Sequence, residues 1–353
     1  MMHDCKMGAT PKDRRGLHRQ QGVTLVELMI ALAIGLLVTV AMLKVYVDAS
    51  RMYRFNEGLA RVQENGRFAL EFIRRDARVA GFWGCHGDAA LTNGISTSSD
   101  AYNKGFDPDE EEFGHIIGTE GGDDDADSIT FRSATGSGAL VISDMSGIDG
   151  TITVDSASAL ATGTAALISD CENGDLFQIT DISGTALAHG AGASANDSPN
   201  LNKAYAAGAR VYQVRQTTYC VADGIGKDKD GNPIPSLRRA YGKNSVSDCE
   251  TGDELLEGIE NMQILYGEDT DADAEGANGD STANRYVDIT HPDLKKQRIV
   301  SVRISLLARS INNHLTTEPS PYTFNGITVT PGSTDKYLRK AFTTTITLRN
   351  KAG

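Results

Sequence analysis

The chain has 353 residues, with 34 Lys and Arg against 47 Asp and Glu for a formal charge of −13, and it carries 37 Gly, 9 Pro and 5 Cys. At 40% hydrophobic and 23% charged it is neither a disordered polymer nor a polytopic membrane protein, and it can bury a sizeable core. No dense Lys/Arg stripe appears beyond the first few tens of residues. The basic face that phosphate neutralisation needs is therefore missing, and no nucleic-acid partner is expected.

Residues 1–22 are polar and basic: Lys6, Lys12, Arg14, Arg15 and Arg19 against Asp4 and Asp13 give a net of +3. From Val23 to Val47 the residues are apolar except for Glu27, Lys44 and a few hydroxyls. About twenty such residues in a helix span the hydrocarbon core of a bilayer. A transmembrane helix is thus predicted over about 23–47, with the basic segment cytoplasmic and the rest of the chain on the opposite side. A secretory signal peptide fits less well. The apolar run exceeds the usual signal core and passes into an amphipathic pattern without a small-residue cleavage site. In that pattern Phe55, Leu59, Val62, Ala69 and Ile73 recur at helical spacing between Arg51, Arg54, Glu57, Arg61, Glu64 and Arg67. One helix over 23–80 is expected, about 85 Å long at the standard rise.

Glu27 places a carboxylate just inside the apolar run. An unpaired carboxylate in hydrocarbon costs at least ~2.5 kcal/mol on insertion scales, so Glu27 needs a partner or a route to water. The run Gly22-Val23-Thr24-Leu25-Val26-Glu27-Leu28 resembles the processing site of type IV prepilins, with Val23 where Phe is commoner. The resemblance implies cleavage after Gly22 by prepilin peptidase, removal of residues 1–22 as a leader, and methylation of Val23 as the new N-terminus. Glu27 then becomes an assembly residue, a counter-ion in the membrane for the free α-amino group of a neighbouring subunit.

Loss of the +3 leader from −13 leaves −16 on the remaining 331 residues. Beyond Ala80 helical periodicity gives way to short β-branched or alternating runs bounded by Gly, Ser, Asn and Asp. Strands are predicted at Ser128–Arg132, Ala139–Ser143, Thr151–Val154, Ala165–Ser169, Leu176–Thr180, Arg210–Val214, Met262–Tyr266, Val300–Leu307 and Thr343–Leu348, with a short helix at Asp253–Asn261. Residues 81–353 thus form a β-rich head with acidic insertions, in two strand-rich stretches, Ser128–Arg215 and Thr217 onward. The fold class is α+β: a long N-terminal helix packed on that head.

Acidic runs at Asp107–Glu112 and Asp123–Asp127 read as solvated loops. In the run Glu268–Glu275, Asp269, Asp271 and Asp273 alternate as hard oxygen ligands do in calcium loops, with Glu275, Gly276 and Asp280 behind them. The EF-hand positions are not all met, and a solvated loop accounts for the same residues. No cofactor is expected otherwise. The run Asp228-Lys229-Asp230-Gly231-Asn232 reads equally as a turn.

Cys5 leaves with the leader, so Cys85, Cys171, Cys220 and Cys249 remain, an even count that implies two disulfides in an oxidising compartment. Spacing favours Cys220–Cys249 and Cys85–Cys171. Without a Cys-x-x-Cys pair zinc is not expected. The histidines, His3, His18, His86, His115, His189, His291 and His314, show no ligand spacing, and no nucleophile elbow, phosphate loop or dinucleotide fingerprint occurs. A catalytic role is not expected. Trp83 reads as packing at the junction of helix and head.

Further along, Phe68-Ala69-Leu70, Asp76-Ala77-Arg78 and Ala80-Gly81-Phe82 resemble the helix exit of PilW-type minor pilins. So do Ser169-Asp170-Cys171, Leu176-Phe177-Gln178-Ile179, the stretch Leu255–Gln263, Val302–Leu307 and terminal Leu348-Arg349-Asn350. The resemblance implies a low-abundance type IV pilus subunit that joins other minor pilins in a tip or priming complex, from which the major pilin polymerises. Its expected location is the inner membrane, with an exported head, and then the pilus. The J-type pseudopilin of type II secretion is the alternative, and a membrane-anchored periplasmic binding module or enzyme a third.

Overall fold

The computed structural model describes residues 22–84, 91–99, 101–102, 115–122, 125–192, 194–242, 249–271 and 279–350. The chain divides into two units, residues 1–53 and 54–353. The helix α1 (Leu25–Ala77) begins in the first unit and ends in the second. It starts behind Thr24, whose hydroxyl accepts the Glu27 amide at 3.3 Å and so takes up one of the amides that a helix start leaves without a partner. At its other end Arg74 and Arg75 sit in the last turn, favourably placed against the helix dipole. Gly81 then turns the chain out at φ +76°, and its amide bonds to the Arg132 carbonyl at 2.9 Å.

The strands, in chain order, are β1 (Leu91–Asn93), β2 (Ile116–Thr119), β3 (Ser128–Leu140), β4 (Ile152–Thr153), β5 (Ala165–Ser169), β6 (Gly174–Gln178), β7 (Asp181–Ser183), β8 (Ala186–Ala188) and β9 (Arg210–Lys227). They continue with β10 (Pro233–Tyr241), β11 (Asp253–Glu257), β12 (Ile259–Glu268), β13 (Arg285–Val287), β14 (Ile299–Arg309), β15 (Tyr322–Phe324), β16 (Ile327–Val329) and β17 (Arg339–Thr347). An eight-stranded sheet runs β1-β6-β5-β9-β10-β11, with β3 also on β9 and β2 on β3. The long strand β9 organises it: one side carries β3, and the other carries β5 on its first residues and β10 on its last. A four-stranded sheet β13-β12-β14-β17 completes the C-terminal part, and β4, β7 and β8 form a small sheet of their own.

Within the second unit, α1 buries Val62, Gly66, Ala69, Ile73 and Ala77, a stripe at spacings of four and three. The stripe packs with Met262 and Ile264 of β12, Val302, Ile304 and Leu306 of β14, and Ile346 of β17. A fully buried aliphatic side chain such as Ile73 contributes about 1.5–3 kcal/mol by leaving water. Gly66 lies against Phe342, where a Cβ would overlap the ring and have to displace it. Polar contacts lock the same interface: Asn65 donates to the Glu257 carbonyl at 2.8 Å, and the Tyr219 hydroxyl donates to Asp76 at 2.6 Å. A second core, around Val141, Ile152, Ile168, Phe177, Leu187 and Tyr205, lies in the segment between β3 and β9.

Three expectations need correction. Asp253–Asn261 is not a helix; it forms β11 and the start of β12. Gly258 between them has φ +80°, and a Cβ there would meet the Arg309 carbonyl, so the chain turns from one sheet to the other at a point where a helix cannot continue. The break between strand-rich stretches at 215–217 falls inside β9, whose pairing with both β3 and β10 carries one sheet across it. Finally, the acidic run ending at Asp127 is not wholly solvated. Asp127 is buried and accepts the Gly121 amide at 2.9 Å and the Ile264 amide at 2.7 Å, bracing a loop against β12. Asp107–Glu112 lie outside the described residues.

Candidate functional site

In the first unit every described residue is exposed, including the apolar side chains from Val23 to Val47. The helix is long and apolar enough to cross a membrane by length and composition. Its backbone is satisfied internally, the requirement for any segment that leaves water. The Thr39 hydroxyl is satisfied too, donating to the Gly35 carbonyl at 2.8 Å. An apolar surface of this extent on a folded chain marks a site that meets lipid or other protein.

Gly22 and Val23 precede the helix and are exposed, and Glu27 sits in its first turn. Among the described residues no group donates to or pairs with the Glu27 carboxylate, whereas its amide is held by Thr24. The arrangement among the described residues is therefore an unpaired carboxylate at the head of an exposed apolar helix. Chemically it can accept hydrogen bonds from a cation brought in from outside the chain, and such pairing is worth most where water is excluded.

Cys220 and Cys249 are disulfide-bonded, with Cα atoms 6.1 Å apart, and tie β9 to the segment after β10. Cys171 is also disulfide-bonded, and Cys85 lies outside the described residues. At the third acidic run, Asp269 and Asp271 come together with Asp280, their ligand oxygens all within 4.8 Å of one another. Asp273, Glu275 and Gly276 lie outside the described residues. The oxygens already have local work. Asp269 accepts the amides of Asp271 at 3.0 Å and Ser281 at 2.9 Å, Asp280 accepts that of Thr282 at 2.9 Å, and Asn284 donates to Asp271 at 3.3 Å. The donors are hard enough for calcium, and the same bonds pin the two ends of the loop.

Asp228-Lys229-Asp230-Gly231-Asn232 is a turn: the Asp228 carboxylate accepts the amides of Asp230 at 2.9 Å and Asn232 at 2.8 Å. The Tyr337 hydroxyl donates to it at 2.7 Å, and these bonds to the charged form hold its pKa down at about 2. His115 is buried, and burial with the Arg132 cation beside it pushes its pKa down to about 4. His189 is buried with Nε2 at 2.8 Å from the Gly150 carbonyl oxygen, and Trp83 is buried among Leu91, Leu167 and Tyr212. These side chains are packing and bracing groups of the head. Sequence reading missed Asp127, Arg132 and Glu268 as buried polar groups, because nothing in a linear pattern separates a bracing carboxylate from a solvated one.

Residues 218–350 match the family described as Type IV Pilus-assembly protein W, and residues 17–43 match the prokaryotic N-terminal methylation motif. No curated protein matches the chain. Among solved structures, a type IV-like pilin from Thermus thermophilus covers 83% of this chain and 99% of its own, at 12% identity and a TM-score of 0.33. The methylation motif covers Gly22, Val23 and Glu27 at the start of the helix that is apolar enough to cross a membrane, and the pilus-assembly match covers the strands from the end of β9 through β17. Two segments of the chain are thus similar to type IV pilus proteins, residues 218–350 to the pilus-assembly family and residues 17–43 to the N-terminal methylation motif.

Proposed function

We propose that this chain is a minor pilin: a structural, non-catalytic subunit that prepilin peptidase cuts after Gly22, leaving Val23 as a methylated N-terminus. In this reading α1 is held in the inner membrane over about 23–47 with the head on the periplasmic side, until the subunit is drawn into a pilus. Glu27 supplies the counter-ion for the α-amino group of a neighbouring subunit. The observation that carries the reading is the carboxylate in the first turn of an exposed apolar helix, with no group pairing with it among the described residues. Water can solvate both ions of such a pair only before assembly; once lipid or helices surround them, pairing offsets the desolvation cost.

A head of about 270 residues crowds a shaft built from repeated copies, which favours a place in a tip or priming complex with other minor pilins, ahead of the major pilin. The test is mass spectrometry of protein extracted from membranes. A chain that starts at Val23, carrying the mass of one methyl group, supports processing; an intact 1–22 segment removes it. Glu27→Ala should still be cleaved yet lose co-purification with other pilins, and unchanged co-purification would remove the counter-ion role.

A further inference from the structure

Strand β17 is an edge of the four-stranded sheet, paired only with β14. Its direction is fixed at both ends. The Leu348 amide donates to the Val300 carbonyl at 2.9 Å and the Ser310 amide to the Leu338 carbonyl at 2.8 Å, so even-numbered residues bond towards β14. The odd-numbered residues Ala341, Thr343, Thr345 and Thr347 therefore turn their N–H and C=O groups to the open edge. All four are exposed, and no other strand pairs with them among the described residues.

Edges of this kind are normally blunted by shortness, bulges, proline or charge. The other edge of the same sheet, β13, is three residues long. The β11 edge of the larger sheet is acidic and joins β10 through a register shift. In contrast β17 pairs with β14 over nine residues without a register shift and contains no proline.

Charge narrows what can pair there. β14 and the segment Arg339–Asn350 hold Arg303, Arg309, Arg339, Lys340 and Arg349 and no carboxylate. Glu260 and Asp335 neutralise Arg309 and Arg339. Arg303, whose Nε donates to the Thr345 hydroxyl at 3.4 Å, Lys340 and Arg349 have no carboxylate within ion-pair distance among the described residues. A second copy of β17 would bring like charges together, which disfavours self-pairing.

We propose that β17 is a docking edge that takes an extended, carboxylate-bearing segment of another polypeptide as an added strand, with backbone bonds at Ala341–Thr347 and ion pairs to Arg303, Lys340 and Arg349. The proposal is independent of cleavage at Gly22 and of the role of Glu27. The test uses the full chain in detergent micelles and a fluorescein-labelled peptide of about ten residues in which Glu alternates with Val and Thr. Anisotropy should show saturable binding. A peptide with Lys for Glu, and one N-methylated at alternate amides, should each bind about tenfold more weakly or worse.

Thr345→Pro removes an outward N–H that the β14 ladder does not use, so it should keep the melting temperature and lose binding about tenfold or more. Arg303→Glu, with the backbone intact, should weaken the acidic peptide by a similar factor. The proposal is overturned if no peptide binds saturably, if the Lys peptide binds as well as the Glu peptide, or if both variants bind like the parent chain. Self-association without peptide that Thr345→Pro abolishes would also overturn it, by giving the edge to a second copy.

Discussion

The two halves of α1 share one backbone and one hydrogen-bond pattern, yet they differ in every other respect. Up to Arg54 each described side chain is exposed, and most are apolar over 23–47. After it, Val62, Gly66, Ala69, Ile73 and Ala77 form a buried stripe and the outer face carries Glu57, Arg61, Glu64, Glu71 and Arg74, with ion pairs at Glu57–Arg61 and Glu71–Arg74. Helix propensity does not separate the halves. The period of the apolar residues does: apolar on all sides calls for lipid or neighbouring helices, and a single stripe calls for a folded partner on one side.

That contrast can be broken by truncation. Ile73→Ala should cost the head about 2–5 kcal/mol in denaturant unfolding of the full chain in detergent, whereas Leu36→Ala, in the exposed half, should stay within about 0.5 kcal/mol. Equal effects would mean that the stripe does not hold the head together. Replacing Cys220 and Cys249 together by Ser should remove about 2–4 kcal/mol by the same readout, since the bond closes a loop of sequence separation 29 within the second unit.

Glycine gives a finer version of the comparison. Gly66→Ala should cost about 1–3 kcal/mol because its Cβ displaces the Phe342 ring. At Gly35 an added Cβ meets nothing within 4 Å, so Gly35→Ala should be neutral or should stabilise the helix by up to about 1 kcal/mol. A loss at both positions would show that the exposed half packs within the chain.

The smallest expected effect concerns charge. Asp127 in the head is a carboxylate with donors from its own chain, and Glu27 is one without among the described residues. Burial, opposed by the amides of Gly121 and Ile264, raises the Asp127 pKa from 3.8 to about 6. The folded state therefore binds the proton more tightly than the unfolded chain between about pH 4 and pH 6, and this group's contribution to stability falls as pH rises through that window. Asp127→Asn should flatten that part of the stability profile, measured by thermal melts across the range. A profile unchanged by the substitution would assign the pH dependence to other groups.

Much of this was legible in the chain. The position of Glu27 inside an apolar run, the stripe from Val62 to Ile73, and the β-branched segments that became β5, β14 and β17 all follow from spacing, because period and composition report directly on what a local element must bury. The candidate residues Gly22, Val23 and Glu27 were picked out for the same reason: they lie within one short segment, 22–27. What failed were features set by distant partners. Leu255 and Leu256 read as helix until Gly258 is seen turning the chain between two sheets, and Asp127 reads as solvated until the Ile264 amide is seen bonded to it.

The sequence alone settled that this protein has one membrane-competent helix with a carboxylate at its head, an amphipathic continuation and a β-rich acidic remainder. Each of these is a local property, written in residues that are neighbours along the chain. Only the tertiary structure decided that β9 carries one sheet across the boundary between the two strand-rich stretches, that Asp127 braces rather than solvates, and that β17 is left as an open edge bordered by cations. Those depend on partners far apart in the chain, 90 residues for Ile129 and Tyr219 in β3 and β9 and 137 for Asp127 and Ile264, and loop closure over such distances leaves no periodic trace in the sequence.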